Sequence, residues 1–225
     1  MPAAVLKKQF EDVLGGHLDW QSRPQLEWVR SGISEVDSAT GGLPRGALTE
    51  IYGPASSGRT SLMLSILAEA TARQETCALV DAEDAFDPVS AAAAGVRLDR
   101  LIWVRSGNSA EHALKAADLL LNGGGFGLVI MDLGDTPQAT ARRISLTSWF
   151  RLRRAVEHTP TVLVAVARQS NAKTCASLML ECHREEVEWS GAPGTSRLLR
   201  GIGVQVVRRK PIRAVTARFT AKALE

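Results

Sequence analysis

The chain has 225 residues, 45% hydrophobic and 23% charged, with a net charge of +3, the balance of a soluble globular protein long enough to bury one sizeable core. No run reads as a membrane span, since the apolar stretch at residues 162–167 is far shorter than the ~20 residues a spanning helix needs, and residues 1–12 are too polar for a secretory leader. Three cysteines, Cys77, Cys175 and Cys182, make neither a disulfide framework nor a four-ligand zinc spacing, so the expected compartment is the cytoplasm.

The charge is spread unevenly. Residues 1–139 carry 11 basic and 18 acidic side chains, whereas residues 140–225 carry 16 basic and 6 acidic. Most of the basic residues in the second part are arginines, which hold phosphate bidentately. Two readings fit: a solvated basic surface, or a face for nucleic acid or an acidic partner.

In chain order, residues 5–14 form an amphipathic helical segment that stops at Gly15-Gly16. Residues 1–22 are read as this segment and a linker, and residues 23–225 as a single core domain. A turn at Leu43-Pro44-Arg45-Gly46 leads into a short strand at 47–52, a glycine-punctuated loop and a mostly buried helix at 61–73. Buried strands follow at 77–80, ending in Asp81, and at 101–104. Asn108 with Glu111 is the expected cap of a helix running to about residue 121. A third buried strand, 127–132, ends in Asp132. A basic helix over 139–157 leads to the strand at 161–167. Strands alternating with helices predict a parallel sheet covered on both faces. After Gln169 the pattern changes to strands at 175–184, 204–208 and 215–220, joined by turns at 191–194 and Lys210-Pro211. These are expected to extend the sheet in antiparallel fashion.

The strongest motif is Gly53-Pro54-Ala55-Ser56-Ser57-Gly58-Arg59-Thr60, which fits G-x-x-x-x-G-K-[ST] except that arginine replaces lysine. It lies between a predicted strand and a predicted helix. The glycines let successive N–H groups point at phosphate oxygens, and the helix start adds its positive end. Thr60 is placed to hold Mg²⁺. Asp132 is the matching strand-end carboxylate for the metal shell, and Glu83 lies where a water-activating carboxylate would sit. Arg59 keeps the positive charge of lysine but spreads it over a planar fork, which suits phosphoryl transfer less well than a point charge.

These residues carry a resemblance. Ser31-Gly32-Ile33, Gly41 through Gly46, Glu50-Ile51-Tyr52-Gly53-Pro54 and Cys77 through Asp87-Pro88 look like bacterial RecA, and a weaker likeness continues to Arg208-Arg209-Lys210. The fold this implies is an α/β P-loop core, mostly parallel and flanked by helices, with antiparallel strands on the C-terminal side. By the resemblance, Glu83 matches the catalytic glutamate, Asp87 the residue that contacts adenine, and Gln169 the γ-phosphate sensor. Arg208 and Lys210 match two lysines that reach a neighbouring subunit's nucleotide. ATP and Mg²⁺ are the implied cofactors. Arg59 argues against their being held, and so does Ser90, which stands where a tyrosine stacks on adenine; the lost contact is worth about 1–3 kcal/mol.

RecA grips DNA with two mobile loops, and this chain has length for neither. Only Ser170 to Thr174 separate Gln169 from the next strand, and Gly134-Asp135-Thr136-Pro137 passes almost directly into a helix. Short, degraded RecA-like chains of this kind resemble the ImuA-type proteins of damage-induced translesion synthesis. That resemblance implies RecA, an ImuB-type polymerase homologue, an error-prone replicative-type polymerase and DNA as partners. Arg142, Arg143, Arg151, Arg153 and Arg154 are the candidate DNA or partner contacts, and Trp149 and Trp189 are expected in a core or interface. Two other readings stand beside an accessory role: an active DNA-dependent ATPase of reduced recombinase type, and a SulA-like cell-division inhibitor acting by protein binding.

Overall fold

The computed structural model describes residues 27–191, 196–211 and 214–222. The helical segment expected at residues 5–14 lies outside them, as does most of the turn at 191–194. Near the start, β1 (Trp28–Val29) pairs antiparallel with β2 (Leu43–Pro44), and α1 (Ser34–Thr40) fills the connection between them. This stretch has the polar composition of a linker. The helix forms because Val36 and Thr40, one turn apart, bury their side chains, and because Gly41 at φ 83° closes it in the left-handed conformation.

The main sheet has eight strands. Parallel strands β3 (Ala47–Tyr52), β4 (Cys77–Asp81), β5 (Leu101–Arg105), β6 (Leu128–Leu133) and β7 (Val162–Ala167) are followed by β8 (Leu178–Ser190), β9 (Leu198–Lys210) and β10 (Val215–Lys222). Their spatial order is β10-β9-β8-β3-β7-β6-β4-β5. The α/β core expected from the alternation is therefore present. The addition begins differently, however: β8 joins β3 in parallel, and only β9 and β10 bring in antiparallel pairing. β4 and β7 are buried along their whole length, as strands covered on both faces must be.

Connecting helices pack on both sides. One core layer lies beneath α1 and α2 (Arg59–Ala72) and includes Ala91 of α3 (Pro88–Ala93). The other lies beneath α4 (Ala110–Gly123) and α6 (Leu146–Val156). Trp149 is fully buried there, as expected.

Three local expectations are corrected. Ser109, not Asn108, caps α4: its Oγ accepts the His112 N–H at 3.2 Å, while Asn108 takes a left-handed turn at φ 58°. The basic helix is broken into α5 (Gln138–Ala141) and α6, because Ser145 caps a new helix by accepting the Ser148 N–H. The strand expected from residue 175 begins at Leu178, after a 3-10 turn at Lys173–Cys175, and runs on to Ser190. Trp189, expected in a core or an interface, is 49% exposed on the β8–β9 hairpin with the Arg197 guanidinium 6.0 Å from its ring centre, which leaves the interface of the two.

Candidate functional site

The phosphate-type loop, residues 53–60, leaves the end of β3 between β7 and β8. The Gly53 N–H donates to the Ala167 carbonyl at 3.2 Å. Gly53 has no room for a side chain, since a Cβ would stand 2.3 Å from the Cys182 carbonyl oxygen of β8. Ser56 takes φ 58° and Gly58 φ 87°, and a Cβ on Gly58 would meet Val204 Cγ2 of β9 at 2.4 Å. The C-terminal strands thus roof the loop. Gly58→Ala is expected to cost about 1–2 kcal/mol for the left-handed backbone, with about 1–3 kcal/mol more for overpacking. In urea titrations Val204→Ala should recover the packing part alone, giving a measurable coupling between the two substitutions. Additive losses would show that the two positions do not touch.

Thr60, at the start of α2, is exposed, whereas Arg59 beside it is only 6% exposed. The Arg59 side chain crosses to β6, where Nη1 donates to the Gly134 carbonyl at 3.1 Å. The Arg168 Nε donates to the same oxygen at 3.1 Å, and its Nη2 lies 3.5 Å from Asp135. Asp132 accepts the Gly134 N–H at 2.7 Å. Burial pushes the Asp132 carboxyl up to about 6; Asp81 on the adjacent strand adds to the rise, while the Gly134 N–H and the nearby Arg59 oppose it. Burial in turn lowers the Arg59 guanidinium, against the pull of Asp132 and Asp135.

Arg59, Thr60, Asp87, Ser90 and Asp132 line one cavity of about 190 Å³. Four of the nucleotide and metal candidates are therefore brought together, along with the serine that replaces the aromatic platform. Asp87, however, is engaged as the cap of α3, accepting the N–H groups of Val89 (3.3 Å) and Ser90 (3.0 Å) and the Ser90 hydroxyl (2.5 Å). Glu83 is half-buried and lies outside the cavity lining. Gln169 accepts from Arg142 Nη2 at 2.9 Å. On β9, Arg208 is half-buried opposite Leu180, and the Lys210 ammonium donates to the carbonyls of Thr174 and Ala176. Among the candidate surface arginines, Arg151 bridges to Asp118 of α4 at 3.1 Å and Arg153 to Glu157 at 3.0 Å.

Three charged residues that shape the site had gone unassigned. Asp81, 1% exposed, accepts the N–H groups of Glu83, Ala85 and Phe86 and the indole N–H of Trp103, so it moulds the loop that carries Glu83. Glu50, fully buried in β3, accepts the N–H groups of Asn171 (2.5 Å) and Ala172 (2.8 Å) and the Ser170 hydroxyl (2.7 Å). Arg168 is the third. The signal for the first two was one acid in an otherwise buried strand, which must find internal partners.

A family model described as the RecA N-terminal domain matches residues 4–140. The chain is 46% identical over 129 residues to RecA of Ectopseudomonas oleovorans, covering 56% of this chain and 37% of that protein. It is 43% identical over 114 residues to RecA of Laribacter hongkongensis, covering 50% and 32%. To RecA of Rickettsia massiliae it is 34% identical over 157 residues, covering 63% and 46%. The matched region thus spans less than half the length of these relatives. With the phosphate-type loop on β3, β7 beside it and the Asp132 strand β6 beyond, the chain belongs to the RecA N-terminal domain family.

Proposed function

We infer that this chain is a non-recombinogenic RecA-family accessory factor of the ImuA type, working in damage-induced mutagenic translesion synthesis. Its partners on this reading are RecA, an ImuB-type polymerase homologue with its error-prone replicative-type polymerase, and DNA. The observation that carries it is the seat of Arg59: a buried guanidinium bonded to the Gly134 carbonyl beside Asp132. The RecA family implies ATP and Mg²⁺ at this loop, and one feature fits them, a buried Ser57 hydroxyl with no hydrogen-bond partner among the described residues. The rest does not fit. A cavity of about 190 Å³ is below the roughly 300–1,000 Å³ of typical ligand pockets, Arg59 in its wall is bonded to the Gly134 carbonyl, and Asp87 and Ser90 are bonded to each other.

The short connections support the same reading. Residues 134–137 pass directly into α5, and residues 170–172 are pinned to Glu50, so among the described residues neither connection has the length of a mobile DNA-gripping loop. The basic excess after residue 140 supports contact with DNA or an acidic partner. The test is ATP turnover by purified protein, with and without single-stranded DNA. The expected rate equals that of Glu83→Gln in both conditions. DNA-stimulated turnover abolished by Glu83→Gln would replace this reading with the reduced recombinase.

A further inference from the structure

Helices α4 and α6 lie side by side on one face of the sheet and run in the same direction. Their N-terminal ends share a cavity of about 450 Å³ lined by Glu111, Leu114, Arg143, Ile144 and Ser148, and further along Arg151 bridges to Asp118. Each helix buries one stripe, Ala113, Leu114, Ala117 and Leu121 on α4 and Trp149, Leu152 and Val156 on α6. The opposite sides are not polar throughout. Leu119 is 73% exposed, Leu146 45% and Phe150 44%. Leu119 and Phe150 are the chain neighbours of the bridged pair Asp118 and Arg151 on the two adjacent helices. Leu146, Phe150 and Arg154 follow one another at a spacing of four residues, about 6 Å per step along the axis.

The charges on this face are mostly settled internally. Lys115 pairs with Glu111 at 2.8 Å, Arg151 with Asp118 and Arg153 with Glu157, and Arg142 is bonded to Gln169. Arg143 and Arg154 are left exposed with no ion-pair partner among the described residues, one before and one after the exposed apolar side chains. Two surplus charges set among three acids are few for tracking a nucleic-acid backbone, which takes about 6–10 phosphate contacts in a tight complex. Exposed leucines also have no use there. Apolar and aromatic anchors at the centre with arginines at the margin are instead the anatomy of a protein interface.

We propose that the outer face of α4 and α6 docks an acidic protein segment through apolar anchors, which sit on Leu119, Leu146 and Phe150 and enter the cavity at the helix N-termini, while its carboxylates meet Arg143 and Arg154. This takes up the partner contact of the accessory role and rests on that reading. It assigns the arginine-rich helix to a protein rather than to DNA.

The probe is a phage-displayed library of random 16-residue peptides selected on the full chain without nucleotide, with selected peptides then titrated by fluorescence polarisation. The expected outcome is enrichment of peptides combining Asp or Glu with Leu, Phe or Trp. Their affinity should fall at least tenfold in Phe150→Ser and again in Arg143→Glu with Arg154→Glu, and should be unchanged in Trp189→Ala. All these positions are exposed, and an unchanged urea midpoint shows that each variant is folded. Selection of peptides without acids, or affinity indifferent to both sets of substitutions, overturns the proposal. So does binding of a fluorescein-labelled oligo-dT that is lost in Phe150→Ser, which would make the face a nucleic-acid site, or a dimer in sedimentation that Phe150→Ser dissolves, which would make the occupant a second copy. ATP turnover is read separately. A chain that proves to be an active ATPase while still selecting acidic peptides refutes the accessory role and leaves the surface standing.

Discussion

Replacing Glu50 by alanine lowers the unfolding free energy by about 2–6 kcal/mol, because two buried N–H groups, those of Asn171 and Ala172, lose their acceptor at roughly 1–3 kcal/mol each. In a chain of this size that corresponds to a fall in melting temperature of roughly 10 °C. The Ser170 hydroxyl loses its partner as well. Glu50→Gln should be intermediate: its amide oxygen replaces one carboxylate oxygen, while its NH₂ group faces donors. Urea unfolding followed by circular dichroism reads the loss as a lower midpoint with an unchanged slope. A midpoint within error of wild type would mean that the short connection after β7 is held by something other than Glu50. The energetic logic also explains the loop. The connection after Gln169 is short, its backbone donors are drawn into the protein, and one buried acid satisfies them.

The second large effect concerns nucleotide. Wild-type protein titrated with Mg-ATP in a calorimeter is expected to give no binding heat, whereas Arg59→Lys combined with Ser90→Tyr binds. Lysine cannot reproduce the guanidinium fork over the Gly134 carbonyl, and a hydrogen bond from a charged group is worth about 1.5–3 kcal/mol. The loop lysine is then free to turn towards phosphate. Tyrosine at 90 adds an aromatic face worth about 1–3 kcal/mol and removes the hydroxyl that holds Asp87. Together these amount to a gain of roughly five- to 150-fold for each substitution, with the double variant exceeding either single one. If Arg59→Lys alone leaves binding at zero and Ser90→Tyr alone restores it, the obstruction is the adenine subsite and not Arg59. If the wild-type chain binds as tightly as the double variant, the internal seat of Arg59 does not exclude nucleotide.

The α/β core, the position of the phosphate-type loop, Asp132 at its strand end and the buried Trp149 were legible in the sequence. Their signals are local: apolar runs of strand length, a glycine-spaced loop between a strand and a helix, and tryptophan within an apolar helical stripe. The substitution Arg59 was equally visible. Its consequence was not, because where a guanidinium goes depends on which carbonyl stands opposite, and Gly134 lies 75 residues away. The same holds for Glu50, whose partners lie 121 and 122 residues further along, and for Asp81, which reaches Trp103 on the neighbouring strand β5. Composition alone marked residues 142–154 as basic. Tertiary packing decided which of those arginines are spent, since Asp118 of α4 neutralises Arg151 only when the two helices lie side by side. Periodicity in a single segment shows which side of it is buried; the partner of each buried polar group is set by the sheet order, which brings distant strand ends to one level.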